Sequence, residues 1–450
     1  MEATKYPGDY HGIIARLFEL QKFGMKFGLE SMERILDNLD RPHDGLRLVH
    51  VAGTNGKGST AAMLAAGLKL AGFKVGLYTS PHLITFRERI QLDGDYIPEL
   101  DVASMAAQVW PATDPASPPT FFEFVTAMAF LFFKREKADL AVIETGLGGR
   151  LDSTNVIRPL VSGITNVSLE HTDHLGKTIE AIAFEKAGVI KPGTPFVGGR
   201  LDGPALDTIS SRIAECGCPT SYLLGRDYEV RPVGPAGHPA INYHGPKWRL
   251  EGLPLALAGP FQADNAAMAL ALAETLAGLG YDISPEAAAG GLSAVRWPGR
   301  AETFAPGAWP PGHSSAAPLI LDGAHNPAGA LALASLIRAT PRRRLHLIVG
   351  VMADKDIGGV LGPIIGEADR LYLTRPAYHR AASPELLLSR IIGALGPPDC
   401  PHSLHPSIPE ALEAAAASAG PEDLVVLSGS LFTVGETRAY LTGAGDVESN

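Results

Sequence analysis

Seven residues, Gly53-Thr54-Asn55-Gly56-Lys57-Gly58-Ser59, join an apolar run to a helical pattern, and few folds accommodate such a junction. The run Leu46 to Ala52 reads as a buried strand. From Thr60 a helix is expected, because Ala61, Leu64, Ala65, Leu68 and Ala71 recur at helical spacing, and Lys74 to Thr79 reads as a second strand. A glycine-rich turn inside a βαβ unit lets backbone N–H groups converge on phosphate oxygens, and the helix N-terminus adds positive potential. Lys57 can then reach the terminal phosphates, and Ser59 can face Mg²⁺. Gly58 departs from the usual phosphate-loop spacing by separating Lys57 from the hydroxyl residue. The plain alternative is a tight glycine turn carrying an exposed lysine.

Further strands are expected at Leu140 to Ile143 and Val161 to Asn166, each running into a polar loop. Short apolar strands alternating with helices indicate a parallel sheet with ligands at its carboxyl edge. Pro111 to Pro119 reads as a surface loop, and Phe121 to Phe133 as a buried helix, because it contains Glu123 and is too short to span a bilayer. Around Arg296 to Gly299 and the Pro/Gly-rich stretch Ala305 to Ala317 little can pack regularly. A second series of strands follows at Leu319 to Leu321, Leu345 to Gly350, Leu371 to Thr374 and Leu424 to Leu427. The expectation is an α/β chain of two domains: residues 1–297 with a phosphate-loop ATPase-type parallel sheet, and a smaller Rossmann-like α/β unit over 298–450.

Composition bounds the function. With 46% hydrophobic and 19% charged residues over 450 positions, the chain can bury a core rather than remain disordered. A formal net charge of −10 argues against a general polyanion binder such as a nucleic-acid protein. No stretch long and apolar enough for a membrane span is visible, nor a secretory leader. Cys216, Cys218 and Cys400 form no CxxC pair, so neither a disulfide framework nor a cysteine zinc site is expected, and a reducing cytoplasm fits.

Four other groups carry chemistry. Glu144 ends a strand beside the glycine turn, where a carboxylate can hold Mg²⁺ directly or through water. His171-Thr172-Asp173-His174 fits a zinc cluster, a plain loop, or one imidazole given to a magnesium site. Glu185 and Lys186 fall in a helix expected over Thr178 to Val189, where the default for a lysine is a solvated face. Asp322-Gly323-Ala324-His325-Asn326-Pro327 puts an acid and an imidazole at a second sheet's carboxyl edge, although a simple turn also explains it.

Taken together, GTNGKGS (53–59), TSPHL (79–83), FRERI (86–90), TFFEF (120–124), ETGLGGRLDSTN (144–155), HTDHLG (171–176), EKAGVIK (185–191), QADNAAMAL (262–270), WPGR (297–300), LDGAHNP (321–327), MADKD (352–356) and SGSLFTVGE (428–436) closely resemble the folylpolyglutamate synthase and dihydrofolate synthase family, relatives of the Mur peptide ligases. The order and spacing of the segments carry the resemblance.

The resemblance implies an ATP-dependent ligase joining L-glutamate to dihydropteroate or a reduced folate through an acyl phosphate. It implies ATP and two Mg²⁺ sites as cofactors, and a monomer. Residue by residue, it implies nucleotide contacts from Gly53, Thr54, Asn55, Gly56, Lys57, Gly58, Ser59, Asn265, Arg300 and Asp322. Ser59, Ser80, Glu144 and His171 resemble metal ligands, and Lys57, His325 and Lys186 resemble catalytic residues, Lys186 as a carbamate. Phe27, Thr120, Phe122, Gly149 and Asn155 resemble the dihydropteroate pocket, where helix-start and core roles are the plain reading, and Arg89 lies on a loop that resembles a substrate-binding Ω loop. Two competing functions are a Mur-type ligase acting on a UDP-linked peptide and a phosphate-loop NTPase switch with no covalent product.

Overall fold

A computed structural model describes the chain except for residues 1–8, 25, 27, 235–237, 310–314, 446 and 449–450. The first eight strands are β1 (Leu48–Ala52), β2 (Val75–Tyr78), β3 (Ile90–Leu92), β4 (Asp95–Tyr96), β5 (Leu140–Glu144), β6 (Val161–Ile164), β7 (Phe196–Gly198) and β8 (Ser221–Leu223). They form one sheet in the order β4-β3-β2-β5-β1-β6-β7-β8. Pairing from β2 to β8 is parallel, and β3 and β4 add an antiparallel edge. All residues of β1 and β5 are buried, as expected for parallel strands covered on both faces. The connection from β1 runs one way, to β2, and that from the neighbouring β5 runs the other way, to β6, so the crevice beyond their carboxyl ends is where such sheets bind ligands.

Helices cover each face. Lys57–Leu70, Gln262–Gly278 and Pro285–Ala294 pack with Val49, Val51, Leu77 and Val142 on one side. Tyr10–Glu19, Glu30–Asn38, Glu99–Ala112 and Phe121–Arg135 pack with Tyr78, Ala141 and Ile143 on the other. The helix Phe121–Arg135 is almost wholly buried because Phe124, Phe130 and Phe133 point into this layer, and it carries a capping box in which Thr120 and Glu123 satisfy each other's backbone N–H groups. Truncating any of these phenylalanines would cost about 3–5 kcal/mol.

A three-stranded antiparallel sheet, β9 (Glu229–Val233), β10 (Ala240–His244) and β11 (Arg249–Pro254), follows and was not legible in the sequence pattern. The last sheet contains β12 (Glu302–Phe304), β13 (Leu319–Leu321), β14 (Leu345–Val349), β15 (Arg370–Leu373), β16 (His402–Leu404) and β17 (Leu424–Ser428), in the order β12-β13-β17-β14-β15-β16. It is parallel apart from the antiparallel edge strand β12. The mixed α/β class and the second strand series match the sequence reading. Two local expectations are corrected. The helix after the glycine turn starts at Lys57 rather than Thr60, and Glu99–Ala112 remains helical through Pro111, so the expected surface loop is shorter.

Candidate functional site

The glycine turn leaves β1 at Ala52 and enters its helix at Lys57, so Lys57, Gly58 and Ser59 belong to the first helical turn. Two glycines are required by geometry. Gly53 has φ +146° and a Cβ there would lie 1.9 Å from Thr165 Oγ1; Gly56 has φ +83° and a Cβ would lie 2.1 Å from Asn265 Oδ1. The turn is held from the neighbouring strand: Thr54 N donates to Asn166 O and Asn55 N to Asn166 Oδ1, at 2.9 and 3.0 Å. Lys57 Nζ donates to Thr54 O at 3.1 Å, folding back over the turn. On the helix Gln262–Gly278, Asn265 Nδ2 donates to Gln262 Oε1, and Gln262 reaches Ser59 Oγ at 3.5 Å.

Lys186 overturns the solvated-face default. It is 1% exposed, and its Nζ donates to Gly53 O at 2.7 Å. Burial, with the nearby Lys57 charge adding to it, lowers its pKa to about 7. Glu144, the last residue of β5, is buried and accepts from Ser80 N at 3.1 Å. Burial raises its pKa, opposed by Lys57.

Glu170, not singled out in the sequence, stands at the centre of this junction. Its Oε1 accepts from Asn326 Nδ2 at 3.1 Å and lies 3.8 Å from His171 Nε2 and 3.9 Å from His325 Nε2. Burial works to raise its pKa, but Lys57, together with Lys186 and the two imidazoles in their protonated forms, brings it below the usual carboxylate value. Its only sequence signal is an acid in the loop beyond a strand's carboxyl end. His171 itself has a left-handed backbone, φ +47°, and an exposed side chain, a conformation that costs energy and clusters at functional sites.

From the second sheet, Asp322 is buried after β13, and its oxygens accept from Ala301 N and Ala324 N at 3.0 and 2.9 Å. Burial raises its pKa, opposed by Arg300. His325 Nδ1–H donates to Gly323 O at 2.8 Å, which leaves Nε2 facing Glu170, and burial pushes the imidazole towards its neutral form. Asn326 caps the helix Pro327–Ala339 through Gly329 N.

Of the remaining candidates, Arg89 and Phe122 lie by the end of β2, while Gly149 and Asn155 lie against the helix Ile179–Ala187 and its cap Gly188. Arg89 is 5% exposed, its guanidinium lies 5.0 Å from the Phe121 ring centroid, and its Nε donates to His82 Nδ1 at 2.7 Å. Phe122 is half-buried and closes on Gly146, where a Cβ would meet the ring at 2.6 Å. Thr120 is buried and its hydroxyl is engaged in the capping box. Gly149 lies against the helix Ile179–Ala187, where a Cβ would come 2.7 Å from Lys186 O. Asn155 is buried, and its Nδ2 donates to Arg150 O and Gly188 O while its Oδ1 has no partner within the protein. Phe27 lies outside the described residues.

Among the described residues no three His, Cys, Asp or Glu side chains group closely enough to hold a metal by themselves. Of the residues expected to hold magnesium, Ser80 and Glu144 touch, Ser80 N donating to Glu144 Oε2 at 3.1 Å, while Ser59 Oγ lies 3.5 Å from Gln262 Nε2 and His171 lies beside Glu170; hydroxyl and carboxylate oxygens are the donors magnesium takes. Among the described residues no helix is long and apolar enough to cross a membrane, and Cys216, Cys218 and Cys400 are free thiols.

Two family models match the chain: the Mur ligase middle domain over residues 51–273 and the Mur ligase glutamate ligase domain over 312–431. A folylpolyglutamate synthase of Lacticaseibacillus casei is 34% identical over 91% of this chain and 93% of its own length. A dihydrofolate synthase/folylpolyglutamate synthase of Escherichia coli K12 is 33% identical over 94% and 93%. A probable bifunctional folylpolyglutamate synthase/dihydropteroate synthase of Haloferax volcanii is 38% identical over 97% of this chain, but the chain spans about half of that relative's length (51%). Among solved structures, E. coli FolC in complex with DHPP and ADP superposes with TM-score 0.85 at 30% identity, covering 97% of this chain and 98% of that one. A Thermotoga maritima folylpolyglutamate synthase superposes with TM-score 0.83 at 34% identity, with the same coverage.

Proposed function

The chain belongs to the folylpolyglutamate synthase/dihydrofolate synthase family of Mur-type ligases, and on that premise we propose that it joins L-glutamate to dihydropteroate, and to reduced folates, at the expense of ATP. The observation that carries the reading is the meeting, at one junction, of the Gly53–Ser59 turn, Lys186, Glu170 and the Asp322–Pro327 segment. A phosphate-loop switch would leave the last of these without a task.

The reaction brings together three anions. Two like charges about 4 Å apart repel by roughly 4 kcal/mol at an effective dielectric of 20, so cations must offset that cost. Lys57 and Arg300 supply fixed positive charge at the nucleotide end, with Asn265 and Asp322 as further nucleotide contacts. Ser59, Ser80, Glu144 and His171 would hold magnesium, which when bound would neutralise phosphate charge. In the chemical steps, a carboxylate oxygen of the acceptor attacks the γ-phosphorus and ADP leaves. The glutamate amine then attacks the acyl carbon, and phosphate departs with one former carboxylate oxygen.

We assign to His325, neutral and with Nε2 not protonated, the task of taking a proton from the incoming amine, a role its Nδ1–H bond to Gly323 O supports. Lys186, with a pKa near 7, holds a substantial fraction of neutral amine at neutral pH, the form that adds CO₂ to give a carbamate, and we assign it that modification. We assign Arg89, Phe122, Gly149 and Asn155 to the acceptor end. Thr120 supports this end as the helix cap. We divide the chain at 297/298 and place it in the cytoplasm as a monomer, the free thiols supporting a reducing compartment.

The test supplies dihydropteroate or a reduced folate, L-glutamate and Mg-ATP, and measures ADP and new amide. Glutamate-dependent product is expected. ATP hydrolysis that ignores glutamate, or product only with a UDP-linked peptide acceptor, would overturn the reading.

A further inference from the structure

Val447 and Glu448, beyond the helix Leu431–Thr442, lie along the loop that carries Arg89. Val447 packs with the apolar cluster containing Leu83 and Ile84, and Glu448 N donates to Ile84 O at 2.8 Å. The Glu448 carboxylate then becomes an anchor: one oxygen accepts from Phe86 N at 2.5 Å, Tyr10 Oη at 3.0 Å and Thr85 Oγ1 at 3.2 Å. Three donors on one carboxylate oxygen fix both the segment and the turn it binds.

The consequence reaches Arg89 through His82. An arginine Nε–H can only donate, so His82 Nδ1, 2.7 Å away, must accept and be unprotonated. The single ring proton therefore sits on Nε2, where it donates to the Glu448 carbonyl oxygen at 3.1 Å. Without that carbonyl, the proton on Nε2 would lose its partner, and a buried donor left without one is destabilising. The alternative tautomer would put N–H against N–H at Arg89.

We propose that Glu448 is a positioning residue for the pterin acceptor: it straps residues 447–448 over the Thr85–Arg89 turn, sets the His82 tautomer through its backbone carbonyl, and thereby holds the Arg89 guanidinium against Phe121. The inference rests on the acceptor assignment of the preceding section. It names a specificity element outside every segment that carried the family resemblance, the last of which ends at Glu436.

The test has two readouts. In steady-state assays, Glu448→Ala releases the strap and is expected to raise the acceptor KM about ten-fold or more, with kcat within about three-fold and the KM for ATP and glutamate within about two-fold. Glu448→Gln retains an oxygen acceptor and restores most of the acceptor KM. His82→Leu matches Glu448→Ala, and the double variant adds little, because both act through one chain of contacts. An acceptor KM within two-fold of wild type in Glu448→Ala, or equal losses towards all three substrates, overturns the proposal. Independently of activity, ¹⁵N NMR of histidine-labelled protein reads the tautomer: His82 protonated at Nε2 in the wild type and altered in Glu448→Ala is expected, and protonation at Nδ1 in the wild type overturns it. If no pterin carboxylate is ligated at all, the function reading fails, while the His82 tautomer still decides whether the strap acts as described.

Discussion

Asn55 of the glycine turn and Asn326 at the cap of the helix Pro327–Ala339 exchange amide hydrogen bonds, Asn326 Nδ2 to Asn55 Oδ1 at 3.0 Å and Asn55 Nδ2 to Asn326 Oδ1 at 3.4 Å. The pair ties the nucleotide end of the first sheet to the second, and Glu170 completes it. Closure at this junction would exclude water from a reactive acyl phosphate.

Replacing Asn326 separates its two tasks. Asn326→Ala removes the cap on Gly329 N and should cost about 1 kcal/mol in urea denaturation. Asn326→Asp keeps the cap but sets a carboxylate against Glu170 and removes the amide donor to Asn55, so stability should fall at neutral pH, where both acids are charged, and kcat/KM for ATP should fall about ten-fold or more. Equal activity in Asn326→Asp and wild type would remove the junction from the account.

Lys186 gives a pH signature. Between about pH 7 and the ordinary lysine range the unfolded chain keeps a proton on this amine that the folded chain has lost, so folding stability gains as pH rises through that window. Urea titrations at pH 7, 8 and 9 should show this slope in the wild type and a weaker one in Lys186→Met. Lys186→Ala should also lose ligation, partly restored by short carboxylates such as formate. Full activity in that variant refutes the carbamate.

On the acid side, His50 is buried beside Thr154 with its pKa lowered to about 3. The unfolded imidazole takes a proton near pH 6.5 and the folded one does not until about 3, so stability falls as pH drops through that interval. His50→Gln should flatten the acid limb of the stability profile, and an unchanged limb would contradict the buried neutral ring.

Gly56→Ala combines a left-handed φ with a Cβ driven onto Asn265 Oδ1. ATP affinity, measured by calorimetry, should fall by about ten-fold or more, while the remote core should leave the secondary structure intact. Unchanged affinity would show that the turn does not cradle phosphate.

The sequence made the nucleotide end legible because strand, glycine turn and helix each have their own period or composition, and Gly53 to Ser59 falls where the three meet. The early start of the helix at Lys57 was hidden because the left-handed Gly56 serves as its N-cap without a polar side chain. β9 was hidden by composition: Glu229–Val233 is largely exposed and carries Pro232. Lys186 looked solvated because a lysine's burial depends on the partner chain segment, here Gly53 O, 133 positions away. Glu170 gave no periodic signal at all, since a loop acid acquires meaning only when the second sheet brings Asn326 and His325 to it. The strap at Glu448 was illegible for the same reason, its contacts lying more than 360 positions earlier.

The central claim, that an acceptor carboxylate is activated by ATP and captured by glutamate, is tested most directly with dihydropteroate carrying ¹⁸O in its carboxylate. Incubation with Mg-ATP and L-glutamate should yield the amide and inorganic phosphate in equal amounts, each phosphate containing one ¹⁸O from the carboxylate. Phosphate free of the label, or released at the same rate without glutamate and without amide, would contradict the account.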